Sequence, residues 1–218
     1  MADKLDYKKT NPELYNPKGE PSLIKVPPMQ FIAIEGQGDP NGEAFTQAVE
    51  VLYGLSYAIK MSPKKGRTPE NYFEYVVPPL EGLWWLISEG NQTESSYQTS
   101  GRDHWRWEAM IRQPEFVVPA VFNWACGEVV KKNKAFIPST AQLRLFDEGL
   151  CVQIMHTGPY KDEPVSLQKI TDFMIGNNLT SRIPEGARHH EIYLSDPRKA
   201  EPAKMRTILR NPVRHKDE

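Results

Sequence analysis

Hydrophobic positions in this chain run through the same order twice: an apolar run stopping at glycine, a helical stripe, then a second run carrying a glutamate among aromatics. The first copy opens with Phe31-Ile-Ala-Ile-Glu-Gly36. It continues as Phe45, Val49, Leu52, Tyr53, Ser56 and Ile59 and closes with Leu80-Glu-Gly-Leu-Trp-Trp-Leu86. The second opens with Val152-Gln-Ile-Met-His-Thr-Gly158, continues as Val165, Ile170, Phe173 and Met174, and closes with His189-His-Glu-Ile-Tyr-Leu194. Unbroken apolar runs suit strands covered on both faces, and steps of three and four suit helices with one face inward. The spacing predicts helices near residues 42–60, capped by Asn41, and 163–178. A duplicated unit packs about a pseudo-twofold axis, with a ligand crevice between the halves.

Between and beyond the two copies the pattern is less regular. Residues 72–77 and 83–87 read as a strand interrupted by Pro78-Pro79, followed by a polar loop around residues 89–102. From His104 to Ile111 the period is two, with Trp105, Trp107, Ala109 and Ile111 on one face. Residues 114–133 predict a helix, with Pro119 in its first turn if it starts near Val118. Leu143–Phe146 and Leu150–Ile154 flank Asp147-Glu148-Gly149 as a hairpin. Residues 202–210 predict a last helix with Met205, Ile208 and Leu209 on its stripe. Residues 1–27 form a polar extension expected on the surface or partly disordered. The remainder, 28–218, is one domain with repeats at about 28–135 and 140–212. The fold class expected is α+β, with antiparallel sheets and helices on one side.

Composition narrows the function classes. With 27 basic and 28 acidic side chains the net charge is −1, which offers no nucleic-acid footprint. No apolar run approaches the roughly eighteen residues of a membrane span, and Met1 to Lys18 is no signal peptide, so the expected location is cytoplasmic. Cys126 and Cys151 read as buried apolar residues. His156, His189 and His190 lack a metal-ligand spacing, no serine sits in a nucleophile elbow, and Gly36-Gln-Gly38 is no dinucleotide fingerprint. Neither a metal nor a cofactor is expected.

Alternation puts Glu191 and Tyr193 on one strand face and His190, Ile192 and Leu194 on the other. That face is either a pocket wall or solvent-exposed. Glu81, before Gly82, is either its pocket partner or a turn carboxylate. Trp84 and Trp85 face opposite ways, so only one can line a crevice. Trp105 and Trp107 share a face, as core or as stacking surface. Tyr160 either gates the pocket or anchors its loop.

His156-Thr-Gly-Pro-Tyr160 one helix before His190-Glu-Ile-Tyr193, with Leu80-Glu-Gly-Leu-Trp-Trp85 in the first half, resembles the GyrI-like small-molecule-binding superfamily. The stand-alone branch with these motifs is similar to cyclopropanoid cyclopropyl hydrolases. The resemblance implies a pocket between the repeats, lined by aromatics, with Glu191 at its base and Glu81 as its pseudo-symmetric partner. It also implies Glu191, Tyr193 and Glu81 as catalytic, and Trp84, Trp85, Tyr160, Trp105, Trp107 and His156 as ligand-binding. The activity implied is glutamate-assisted water addition to an electrophilic cyclopropane in a planar hydrophobic molecule. The alternative is a module that sequesters such compounds without turnover. A third reading, a protein partner inhibiting a topoisomerase-like enzyme, finds no acidic surface in this composition.

Overall fold

In the computed structural model the described residues are 4–86 and 104–217; the expected loop at 89–102 lies outside them. Two short helices, α1 (Tyr7–Thr10) and α2 (Pro12–Tyr15), precede strands β1 (Ser22–Val26) and β2 (Met29–Gln37). Helix α3 (Glu43–Lys60) starts from Gly42; Asn41 does not cap it but bonds back to Asp39. Strands β3 (Leu80–Leu86) and β4 (Trp105–Arg112) lead to α4 (Pro119–Lys132), whose proline is at the first turn, where no amide is needed. Strands β5 (Ala141–Phe146) and β6 (Gly149–Thr157), helix α5 (Glu163–Gly176) and strands β7 (Leu179–Ser181), β8 (His189–Tyr193) and β9 (Arg206–His215) complete the chain.

The strands join in the order β1-β6-β9-β8-β3-β4-β2-β5, each pairing antiparallel, with β7 on β9. The order reads the same from both ends: β2, α3, β3 and β4 correspond to β6, α5, β8 and β9, and the β3–β8 seam is the centre. Only two residues separate β1 from β2 and two separate β5 from β6, yet each pair sits at opposite ends of the order. Two linking residues span about 11 Å at most, so the sheet curls until its ends approach. The expected β5–β6 hairpin does not form, because β5 pairs with β2 while β6 pairs with β1 and β9.

One face of the sheet carries α3 and α4 over Ile32, Ile34, Trp107, Ala109 and Ile111, and α5 over Val152, Ile154 and Leu209. The two patches are separate clusters, and the seam runs between them. The other face packs Phe31, Leu83, Met110, Ile192 and Ile208 beneath the N-terminal segment, where Tyr7, Leu14 and Tyr15 are buried. The extension is therefore part of the core: its polar residues face out while three large side chains close the curled sheet. The helix expected at 202–210 is a short turn followed by β9, whose alternation buries Thr207, Leu209 and Asn211 on one face and Ile208 and Arg210 on the other. Residues 72–77 form no strand, only a bridge from Tyr75 to Leu5, and Val165 points outward on α5. Among the described residues no helix is long and apolar enough to cross a membrane.

Candidate functional site

The seam is built from β3 and β8, paired with Gly82 opposite Glu191 and Trp84 opposite His189. Their alternation sends Trp84, His189, Glu191 and Tyr193 to the helix-bearing face. Trp84 Nε1 donates to Tyr193 Oη at 2.9 Å, and Tyr193 Oη donates to Glu191 Oε2 at 2.7 Å. His189 Nε2 lies 3.3 Å from Glu191 Oε1, and His189 Nδ1 is 2.7 Å from Asn211 Oδ1 on β9. One oxygen of Glu191 is thus held by Tyr193 and the other stands beside His189, while the side chain keeps partial access to solvent. Burial, then Glu191 beside it, holds the Tyr193 hydroxyl far above its ordinary range, so it stays a donor.

Aromatic rings wall this group. Trp84 meets Phe45 of α3 at 5.4 Å between centroids and Trp105 at 5.6 Å, edge to face. Phe45 also meets Trp107 at 5.0 Å, and the Trp107 ring fills the space over Gly36, where a side chain would collide with it. From the other repeat Tyr160 meets Tyr193 at 6.2 Å and stays 39% exposed, at the rim. Burial, then Glu191, Glu163 and Asp196, pushes the Tyr160 hydroxyl up to about 12. His156 stands behind the rim: its Nδ1 is 3.0 Å from Ser166 Oγ and its Nε2 3.2 Å from the Pro159 carbonyl. A carbonyl can only accept, so Nε2 donates to it. His156 anchors the loop that presents Tyr160.

A residue that the sequence did not single out completes the site. Glu163 opens α5, and its Oε1 is shut off from solvent with no hydrogen-bond partner among the described residues. Burial, then the neighbouring Glu191 charge, raises its carboxyl to about 10, so Glu163 is protonated at neutral pH. Its sequence signal is weak: a glutamate before Pro164 at a helix start is an ordinary first-turn residue. Two carboxyls in one aromatic setting, one held protonated and the other oriented by Tyr193, can give and take a proton respectively.

Glu81 does not join them. It is fully buried on the opposite face, where Tyr15 Oη donates to its Oε1 at 3.1 Å and His190 Nε2 to its Oε2 at 3.0 Å. His190 Nδ1 reaches Glu148 at 3.0 Å, and Arg210 links Glu148, Gln153 and the Leu14 carbonyl. Burial alone would depress the His190 imidazolium, but the Glu148 and Glu81 carboxylates outweigh it and raise it to about 9. Trp85 also faces away from Glu191, with the Arg188 guanidinium 4.3 Å above its ring. Trp107 is almost wholly core and Trp105 partly so. Of the expected residues, the structure brings Glu191, Tyr193, Trp84, Trp105 and Tyr160 together, places His156 and Trp107 behind them, and separates Glu81 and Trp85. Among the described residues no cluster could hold a metal ion.

Solved structures resemble this chain over most of its length. An uncharacterized conserved protein from Listeria innocua is 44% identical with a TM-score of 0.87, covering 97% of this chain and 100% of that one. A protein described as a hydrolase from Listeria innocua is 42% identical with a TM-score of 0.86 over the same shares. The EcmrR C-terminal domain, 9% identical, shares the fold with a TM-score of 0.51, covering 90% of this chain and 98% of that domain. Among curated proteins none matches. The family model for the GyrI-like small molecule binding domain matches residues 19–214, which include both repeats and the whole seam, and the chain belongs to that GyrI-like family.

Proposed function

We propose that the seam binds planar hydrophobic molecules and adds water to a strained electrophilic ring in them, a cyclopropane conjugated to a carbonyl. The observation that carries this reading is the pairing of Glu163, protonated and with an unpartnered oxygen, with Glu191, which Tyr193 holds and His189 flanks. In the reaction Glu191 takes a proton from water as its oxygen bonds to a ring carbon. The cyclopropane C–C bond breaks, and its electron pair passes through the conjugated system to the carbonyl oxygen. Glu163 supplies the proton there, and the net change is addition of one water. Tyr193 is already engaged with Glu191 and Trp84, so its role is to aim the base, and the donor to the developing oxyanion is Glu163. Trp84, Trp105 and Tyr160 provide the apolar walls that align a flat substrate and exclude bulk water. Similarity at 42% identity to a protein described as a hydrolase supports turnover. A detoxifying role follows from the reactivity of such rings.

The second reading is sequestration without turnover, favoured by the family description, which names small-molecule binding alone. Incubation with a spirocyclopropyl cyclohexadienone, followed by mass spectrometry, separates the two. Catalytic formation of the water adduct, lost in Glu191→Gln, is the expected result. Stoichiometric binding with unchanged ligand would overturn the hydrolase reading and leave the binding module.

A further inference from the structure

We propose that His156 is a positioning residue of this site: from behind the crevice it clamps the segment between Pro159 and Ser166 and so sets where the Glu163 carboxyl points. The inference rests on the reading of Glu163 as the acid and assigns the residue that aims it.

Glu163 needs such a support. Its Oε1 has no hydrogen-bond partner among the described residues, so the backbone of the first turn of α5 decides where that oxygen points. That turn has little else to hold it. The Asp162 side chain makes no capping bond to it, and Val165 is 67% exposed. The apolar grip of α5 on the sheet starts with the partly buried Leu167 and is complete only at Ile170 and Met174, two and three turns after Glu163.

His156 provides the hold from the sheet. It lies on β6 and is 4% exposed, so its own place is fixed by the strand pairing around it. Its two nitrogens reach both sides of Glu163: Nε2 donates to the Pro159 carbonyl at 3.2 Å, and Nδ1 stands 3.0 Å from Ser166 Oγ. Ser166 follows Glu163 by three residues, on the same turn of the helix. The Pro159 carbonyl also accepts from the Asp162 amide at 2.9 Å, which ties that end of the clamp to the helix start. The approach is fixed as well, since Gly158 turns the chain at φ +138 and its amide donates to the Met205 carbonyl at 2.9 Å. One buried ring therefore bridges the segment that carries the acid. Misplacing a reacting group by about 1 Å costs up to about a hundredfold in rate, so a loosened clamp should be felt in the chemistry.

The test uses Ser166→Ala, which removes one hold at a partly exposed position, and His156→Gln, which removes the ring. With the spirocyclopropyl cyclohexadienone, kcat of Ser166→Ala should fall roughly tenfold while KM stays within about twofold. In a Glu163→Gln background Ser166→Ala should cause no further fall, because it acts through the residue already lost. Losses that multiply in the double variant would show that Ser166 acts elsewhere and overturn the proposal. The Glu163 carboxyl is followed by ¹³C NMR independently of turnover. In both folded variants it should titrate roughly two pH units or more below its wild-type value of about 10, because a loosened first turn admits water. An unchanged titration in both would overturn the proposal whether or not the wild type turns the probe over. A wild type without turnover whose variants show the altered titration would sink the hydrolase reading and leave His156 as the residue that places Glu163.

Discussion

Gly82 stands directly opposite Glu191 in the β3–β8 register, and the space above its Cα is taken by the two residues that frame that carboxylate. A methyl group there would lie 2.8 Å from Trp84 Nε1 and 3.1 Å from Tyr193 Oη. Those atoms are bonded to each other, so neither can withdraw without loosening the contact that aims Tyr193 at Glu191. Gly82→Ala is expected to destabilise the fold by about 1–3 kcal/mol and to weaken binding of a planar aromatic probe roughly tenfold. Thermal unfolding and fluorescence titration check both. Unchanged affinity would mean that the Trp84–Tyr193 contact does not shape the crevice.

The duplicated pattern in the sequence survives in β2-α3-β3 and β6-α5-β8, whereas of the strands that follow only β4 is legible and β9 reads as a helix. It misleads at one residue. A twofold axis normal to a sheet keeps each residue on its own face, yet Glu81 and Glu191 point to opposite faces. Aligning the two glutamates shifts the register by an odd number of positions, which in a strand exchanges inside for outside. Across the seam Glu81 contacts His190 on one face, and Trp84 contacts Tyr193 on the other. Glu163 and His189 are hidden for a different reason. Their significance lies in which carboxylate they face, and a single sequence does not report that. The N-terminal segment reads as an extension because Tyr7, Leu14 and Tyr15 are spaced too widely to form a stripe.

The network beneath the seam makes folding stability depend on pH. His190 has its folded-state value raised from an ordinary 6.5 to about 9, so its contribution is fully present below about 6.5 and is lost as pH rises through about 9. The whole of that loss is on the order of 3 kcal/mol. Urea unfolding at a series of pH values across this window checks it. Glu163, whose proton is also held more tightly in the fold, acts in the same direction, so the fall should persist in reduced form in Glu163→Gln. A flat profile in that variant would show that His190 is not held as an imidazolium.

Tyr15 ties the N-terminal segment to the same network through its 3.1 Å bond to Glu81. Tyr15→Phe leaves the ring packed but removes one donor from a fully buried carboxylate, with an expected cost of about 1–3 kcal/mol. Deleting residues 1–20 also strips the Leu14 carbonyl from Arg210 and uncovers Phe31, Met110 and Ile208, and should leave no cooperatively folding protein. A truncated chain that unfolds with wild-type stability would show that the segment is an accessory. Circular dichroism during denaturation distinguishes these outcomes.

Glu163→Gln separates chemistry from stability. Glu163 is held protonated up to about 10, first by burial and then by Glu191, so replacing it with an uncharged amide of the same shape does not alter the charge of the site at neutral pH. Binding of a neutral planar probe should change little, while turnover falls by roughly a hundredfold, because an amide donates a hydrogen bond but no proton. Stability should move the other way. The unfolded carboxyl ionises above its ordinary 4.5 while the folded one does not, so the wild type loses stability progressively as pH rises from about 4.5 to about 10. The amide has no such loss, and the advantage of the Glu163→Gln variant should widen across that range. A residue whose removal costs activity and adds stability is one retained for its chemistry. Full turnover in Glu163→Gln would end its assignment as the acid, and a stability difference independent of pH would show that the folded carboxyl ionises normally.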